Sequence, residues 1–301
     1  MDGRWELWGV KSPGRAAIVG RDLTPWADQK YVRGMSHLSR LLDLARSWDA
    51  GRHTWLDLRL SEDRHATHAY LRIDPPPPLD EMSLLLGDAL HCLRGALDSL
   101  TWELCHLDGP PDPSVLRKIQ FPCARSEADW TKQVTGPLAS MPPDFQQRIY
   151  DYQPLGLDPA TSVIALLFDL NNQDKHRGAI SASANVRAVS LPINTAGATG
   201  AHNGISNGFR INFAEPQFVN GALALTLETS VPITLLQDST PVGLGYTVDN
   251  GPGRAIDLAH LVQVLALVGP ALQHIRDGLT RDSMPAPSDG EGASEDTPTL
   301  A

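Results

Sequence analysis

The side chains with the clearest chemical potential stand on a leucine-rich stretch in the first third of the sequence. His91, Arg94 and Asp98 follow one another at i, i+3 and i+7, a spacing that places them on one side of a helix. An imidazole, a guanidinium and a carboxylate facing one space could bind an anion or move a proton. The alternative is a solvated helix face or a buried Arg94–Asp98 pair, which requires no function.

A second polar group occupies positions 171–177, which read Asn-Asn-Gln-Asp-Lys-His-Arg. The side chains that we predict to contribute to a site are Asn172, Asp174, Lys175, His176 and Arg177. Cations in the last turn of a helix also complement the negative end of its dipole, which explains three of these residues without any function. A carboxylate is disfavoured at that end, so Asp174 is the residue that the alternative explains least.

Several of these residues are also of metal-ligand types. His91, Asp98, Asp174 and His176 could line a metal site in a helix bundle. The sequence contains no H-E-x-x-H motif and no P-loop. We therefore predict no cofactor and no resident metal, and we leave open whether the chain catalyses a reaction.

Helices must position both polar groups. In the second helix the leucines at 86, 90, 93, 97, 100 and 104 form one stripe at helical spacing. Gly109 and two prolines follow it and end the element. Four long helices are predicted in all, over residues 25–48, 79–107, 158–176 and 254–279, with short helical pieces near 127–133 and 143–150.

Strand patterns fill the remaining regions. A small N-terminal hairpin is predicted over 55–73, with a polar turn at 61–64. Apolar alternation between Asn-Gly turns predicts a mostly antiparallel sheet over 180–248. The fold class is therefore α+β, with the helices forming a bundle-like layer. Helices near both ends favour one intertwined domain over residues 1–280, and the polar, acidic segment 281–301 predicts a disordered tail.

Composition narrows the classes of partner. The chain of 301 residues carries 35 acidic and 25 basic side chains, a net charge of −10, so a nucleic-acid backbone is disfavoured as the main partner. Three cysteines without C-x-x-C spacing argue against a disulfide framework. The apolar runs 163–168 and 261–268 are too short to span a bilayer. We expect a cytoplasmic protein without a membrane partner, in an unknown oligomeric state.

Two motifs in combination resemble those of a known family. Residues 90–98 read Leu-His-Cys-Leu-Arg-Gly-Ala-Leu-Asp and residues 174–177 read Asp-Lys-His-Arg, with Phe121-Pro122, Trp130 and Gln153-Pro154 between them. This pattern resembles a family of uncharacterised bacterial proteins that share an LRxALD helix and a later DKHR motif. The resemblance covers residues 85–177 and implies no particular activity. It does imply functional positions at Arg94, Asp98, Asp174, His176 and Arg177.

A second resemblance is partial. HEPN-like helical bundles, many of them ribonucleases of toxin or defence systems, carry on one helix an Arg and a His with four to six residues between them. Here the pairs at 46/53 and 59/65 fall across a helix end and a hairpin turn, and His176 precedes Arg177. The resemblance implies a composite, metal-independent ribonuclease site with Arg94, His176 and Asp174 as the candidate catalytic residues.

The sequence thus supports three hypotheses. The first is a binding module in which Arg94, Lys175 and Arg177 supply positive charge to a small anionic ligand or a protein partner, while Asp98 holds Arg94 or His176 in place. The second is the HEPN-like ribonuclease, which would have RNA as its partner. The third is a purely structural or assembly protein in which the same residues form a buried salt-bridge network.

Overall fold

The computed structural model describes most of the chain between residues 25 and 277. The described ranges are 25–51, 53–157, 162–177, 182–189, 193–195, 209–214, 219–236, 239–251 and 254–277. The predicted tail at 281–301 lies outside them. Helices and antiparallel sheets are both present, which confirms the α+β class.

The helices lie close to where periodicity predicts them. The α-helices are α1 (Pro25–Ala50), α2 (Leu79–Cys105), α3 (Glu127–Val134), α4 (Pro143–Tyr150), α5 (Val163–Arg177), α6 (Leu258–Ala266) and α7 (Val268–Arg276), and Leu116–Lys118 forms a 3-10 turn. Every leucine of the α2 stripe is at most 1% exposed. The predicted start of the third helix, at 158, lies outside the described residues.

The prediction of four long helices is wrong at the last of them. Its predicted start is a strand, Ala255–Asp257, and its remainder is two nine-residue helices, α6 and α7. Pro270 has no N–H to donate to the carbonyl of Ala266, and its ring clashes with that carbonyl in a continuous helix. The helix therefore ends at Ala266 and restarts at Val268.

The chain divides into two compact units, each assembled from several segments. Unit 1 comprises Met1–Gln29, Ala96–Leu157 and Pro270–Ala301, and unit 2 comprises Lys30–Gly95 and Asp158–Gly269. The single domain over residues 1–280 stays a prediction.

In unit 2 an antiparallel sheet is the main element. Its strands are β1 (Thr54–Leu60), β2 (Ala66–Ile73), β3 (Ala182–Val189), β5 (Phe209–Phe213), β6 (Leu223–Thr229), β8 (Ser239–Asp249) and β9 (Ala255–Asp257), whereas β4 (Ile193–Thr195) and β7 (Ile233–Leu236) form a separate pair. The order is β3-β8-β1-β2-β6-β5, and β9 pairs with β8. The predicted hairpin, β1–β2, is therefore not a separate element but the centre of the sheet.

One face of this sheet supplies much of the core of unit 2. Leu56 and Leu71 pair across β1 and β2, and both are at most 2% exposed. On β8 every second residue from Thr240 to Val248 is buried, namely Thr240, Val242, Leu244, Tyr246 and Val248, as expected of residues that share one face of a strand; Gly245 is buried as well. Helix α6 packs against β8 and β9 and also contacts α5.

In unit 1 the C-terminal part of α2 is hydrogen-bonded to the Pro-rich segment that follows it, and α4 contacts both α3 and α7. The fully buried side chains of this unit include Leu97, Leu100, Phe121, Leu138, Ile149 and Ile275. The Ser140 hydroxyl donates a hydrogen bond to the carbonyl of Cys105, 2.8 Å away, and so fixes the end of α2 to this segment.

One stretch of the described residues has the length and composition of a membrane-crossing helix. It is Leu258–Arg276, the span of α6 and α7. Buried helices in the cores of many proteins pass the same test, and here Leu261, Leu265, Val268 and Leu272 are at most 1% exposed within the fold. The absence of a membrane partner stays a prediction.

Candidate functional site

Helices α2 and α5, which carry the two predicted polar groups, pack against each other in unit 2. The Asp174 carboxylate lies against Gly87, and the Arg94 guanidinium lies over the ring of Phe168. The two contacts are seven residues apart on α2 and six apart on α5, or about 10 Å and about 9 Å at 1.5 Å per residue. Because they occur in opposite chain order, the helices run antiparallel.

Arg94 is a buried residue of this packing. Its side chain is only 8% exposed, as is Phe168. The Cζ atom of Arg94 lies 3.2 Å from the centroid of the Phe168 ring. A guanidinium over an aromatic face is attracted by the negative face of the ring, an effect that reaches about 2 kcal/mol when water is excluded. Arg94 therefore holds α2 and α5 together, in addition to any role as a charge.

Gly87 makes room for Asp174. A Cβ atom on Gly87 would lie 3.0 Å from Oδ1 and 3.2 Å from Oδ2 of Asp174, closer than side-chain atoms normally approach. The absence of a side chain at 87 thus allows the partly exposed carboxylate to lie against α2. The sequence signal for this contact is the glycine itself, since glycine inside a helix costs about 1 kcal/mol relative to alanine and indicates a packing reason.

The other predicted residues of these helices occupy different environments. His91 is exposed, so it does not share the buried environment of Arg94, and Asn172 is exposed on α5. Lys175, His176 and Arg177 form the last three residues of α5, and their side chains lie outside what the structure describes.

A direct Arg94–His176 centre has no geometric support from the helix backbones. Arg94 stacks on Phe168, eight residues before His176, which is about 12 Å along the axis of α5. The structure brings the two helices together, and the shared centre of these two side chains stays a prediction.

Asp98 contributes to the structure of unit 1. Its Oδ1 accepts a hydrogen bond from the backbone N–H of Phe121, 2.9 Å away. The side chain of Gln153, only 4% exposed, accepts from the N–H of Ala124 at 2.8 Å and donates to the carbonyl of Ile149 at 3.0 Å. Asp98, Phe121 and Gln153 all stand in the motifs singled out in the sequence, and their bonds fix the Pro-rich segment.

A cluster that the sequence does not predict lies elsewhere in unit 1. It consists of Asp28 on α1, Glu103 on α2 and Arg276 on α7, and we call it the acid cluster. Arg276 Nη1 lies 2.7 Å from Oδ1 and 2.8 Å from Oδ2 of Asp28. Glu103 Oε2 is buried and has no hydrogen-bond partner among the described residues.

The surroundings of Glu103 make it a weak acid. Burial raises the pKa of Glu103 to about 7, the nearby Arg276 lowers it and Asp28 raises it. The carboxyl group therefore exchanges its proton near neutral pH. No sequence motif marks this cluster, because its members come from three distant helices.

The described side chains give no geometric support for a metal centre. Among them, no group of three or more His, Cys, Asp or Glu lies close enough to hold a metal ion.

Similarity to known proteins assigns no family to the chain. No family model, curated protein or solved structure matches it. The resemblances to the LRxALD/DKHR family and to HEPN-like bundles accordingly stay predictions. A function for this protein therefore has to be inferred from the side chains of α2 and α5 and from their charges.

Proposed function

We propose that this chain binds a small anionic ligand at the C-terminal turn of α5. Lys175, His176 and Arg177 supply the charge, and Asp174 positions the turn against α2. The observation that carries the proposal is the contact between the Asp174 carboxylate and Gly87. It supports a turn that is held in place rather than one that is merely solvated.

The position of Asp174 supports a positioning role. A carboxylate at the C-terminal end of a helix faces the negative end of the helix dipole, which costs a few tenths of a kcal/mol to about 1 kcal/mol. The three cations that follow it reduce this cost. Contact with Gly87 of α2 gives the carboxylate a structural reason to be there.

Arg94 has a supporting role in this proposal. Its guanidinium is buried over Phe168, so it fixes α5 against α2 and adds positive potential. Replacing Arg94 should therefore lower both stability and binding. The variants that separate binding from folding are at 175 and 177.

The experiment is calorimetric titration of the full-length protein with inorganic phosphate and with a ribonucleoside monophosphate. We expect the double variant Lys175→Ala/Arg177→Ala to bind at least about tenfold more weakly, the loss of two charge-assisted contacts, with an unchanged melting temperature. The matched control is Arg33→Ala/Arg40→Ala, which removes two exposed arginines of α1 and the same net charge. Equal binding by the two double variants would contradict the proposal, as would no binding by the wild type.

The same proteins test the ribonuclease hypothesis. Metal-free incubation with a single-stranded RNA should leave the RNA intact if α5 only binds anions. Cleavage that is lost in His176→Ala and kept in the Arg33/Arg40 control would replace the binding proposal with the enzymatic one.

A further inference from the structure

Strand β5 lies at one end of the sheet in unit 2. In the sheet order β3-β8-β1-β2-β6-β5 it pairs with β6, and among the strands that the structure describes it has no second neighbour. Its sequence is Phe-Arg-Ile-Asn-Phe. Edge strands are commonly protected by charged side chains, especially lysine, or by proline. β5 contains no lysine or proline, and its one charged residue is Arg210.

The buried apolar face of the sheet continues onto β5 and becomes exposed there. Ile211 pairs with Leu227, and Phe213 pairs with Leu225. The two leucines are 4% and 2% exposed, whereas Ile211 is 47% and Phe213 is 76% exposed. Paired residues share a face of the sheet. This face is therefore buried at β6 and exposed to solvent at β5.

The backbone of β5 also presents hydrogen-bonding groups at this edge. The N–H of Ala214 donates to the carbonyl of Ala224 at 3.0 Å, so position 214 points toward β6. N–H and C=O groups alternate in direction along an antiparallel strand. The groups of residues 209, 211 and 213 consequently point away from β6, as a template for another strand.

We propose that two copies of this chain pair β5 against β5, antiparallel, about a two-fold axis at Ile211. The register sets Ile211 opposite Ile211 of the second copy, Phe213 opposite Phe209, and Arg210 opposite Asn212. All three outward-pointing residues then form hydrogen-bonded pairs, about six N–H···O bonds in total. The two sheets join into one, and their apolar faces lie on the same side.

The occupant is a second copy because the strand is complementary to itself. Phe-Arg-Ile-Asn-Phe has the same apolar and polar order in both directions, so antiparallel self-pairing sets apolar side chains against apolar ones. Arg210 meets Asn212, and no two like charges face each other directly. A two-fold pairing of this kind closes on itself and gives a dimer. The proposal uses no residue of the α5 site and stands independently of it.

The first test is the mass of the full chain in solution by sedimentation equilibrium over a series of micromolar concentrations. We expect twice the monomer mass of 32.6 kDa for the wild type at high concentration. Ile211→Pro should be monomeric, because it removes an outward N–H while leaving the β5–β6 bonds intact. Ile211→Val, which keeps shape and N–H, should remain dimeric. Circular dichroism verifies that both variants are folded.

The second test fixes the register. In the proposed pairing the two Cα atoms of position 211 lie about 5.5 Å apart, which suits a disulfide. Those of position 213 are offset by four residues, about 13 Å. Under mild oxidation Ile211→Cys should form a covalent dimer, and Phe213→Cys should form none above the background of the three native free cysteines.

Three results would overturn the proposal. They are a wild type that stays monomeric at every concentration, a dimer that Ile211→Pro leaves intact, and cross-linking of Phe213→Cys as fast as that of Ile211→Cys.

Discussion

Two buried or partly buried arginines of this protein are stabilised in different ways. In unit 2, Arg94 lies over the Phe168 ring. In the acid cluster of unit 1, Arg276 binds both oxygens of Asp28 and also lies near the carboxyl group of Glu103, whose pKa is raised. The first guanidinium contacts an aromatic face, and the second is part of a network of three ionisable groups.

The difference teaches where pH can act on this fold. An arginine does not titrate in the physiological range, and neither does its aromatic neighbour, so the Arg94–Phe168 stack is insensitive to pH. The acid cluster contains a carboxyl group whose pKa burial raises to about 7. Unit 1 is thus a region in which a proton changes the local free energy, and the stack in unit 2 is a fixed packing element.

The largest effect is expected from Arg94→Ala. The substitution removes a buried side chain and its stack on Phe168 and leaves a cavity, so the free energy of unfolding should fall by about 3 kcal/mol. Arg94→Lys keeps the charge but lacks the planar group, and it should lose about half as much. Urea denaturation measures both losses.

Arg40→Ala is the control for Arg94→Ala. Arg40 is exposed on α1, and its removal should change stability by less than about 0.5 kcal/mol. If Arg94→Ala were as mild as this control, the stack would not hold the two helices together.

A smaller loss, about 2 kcal/mol, is expected from Arg276→Ala, because its removal leaves a carboxylate without its partner. The ion pair with Asp28 is partly buried, with side chains 16% and 23% exposed. The matched control is Arg46→Ala, which breaks an Arg–Asp pair whose side chains are 60% and 67% exposed, and should cost no more than about 0.5 kcal/mol. Equal losses of unfolding free energy in Arg276→Ala and Arg46→Ala would show that partial burial does not strengthen the Arg276–Asp28 pair.

Glu103→Gln should make stability less dependent on pH. The pKa of Glu103 is about 7 in the folded protein against an ordinary 4.5, so the folded state keeps a proton that the unfolded chain releases. The stabilisation that protonated Glu103 contributes is complete below about pH 4.5 and is lost as the pH rises through about 7. Because solvent partly screens the site, we expect a loss of about 1–2 kcal/mol, absent in Glu103→Gln.

Urea denaturation at pH 5 and pH 8 measures this difference. The control Glu81→Gln, at an exposed position of α2, should follow the wild type. A wild type and a Glu103→Gln variant with parallel pH profiles would show that Glu103 is ionised at neutral pH in the folded protein.

The sequence predicts the elements of this fold better than their arrangement. Helices α1 and α2 follow from leucine periodicity, because each buries one stripe. The central position of the β1–β2 hairpin does not follow from local pattern, since it depends on pairing with β6 and β8, far along the chain. Pro270 is visible in the sequence as a helix breaker, but the apolar period continues through it and predicts one long helix.

The polar residues of α2 and α5 and those of the acid cluster also differ in how far the sequence predicts them. Arg94 and Asp174 stand in short motifs, so their residue types and spacing alone indicate a candidate site. Asp28 and Arg276 are separated by 248 positions, and only the fold brings them to Glu103. A motif is also ambiguous at Asp98, because a residue type cannot distinguish a ligand contact from a carboxylate that accepts the backbone N–H of Phe121.

The smallest effect is expected at the contact between Gly87 and Asp174. Gly87→Ala gains up to about 1 kcal/mol of helix propensity, and a Cβ 3.0 Å from the Asp174 carboxylate should offset most of it. In an Asp174→Ala background the close contact with the carboxylate is absent, so Gly87→Ala should raise the free energy of unfolding by close to the full helix-propensity gain. A double-mutant cycle by urea denaturation measures the coupling, expected to be about 0.5–1 kcal/mol. If Gly87→Ala had the same effect in both backgrounds, Asp174 and Gly87 would not be coupled. The proposed anion site would then lack the contact that positions it.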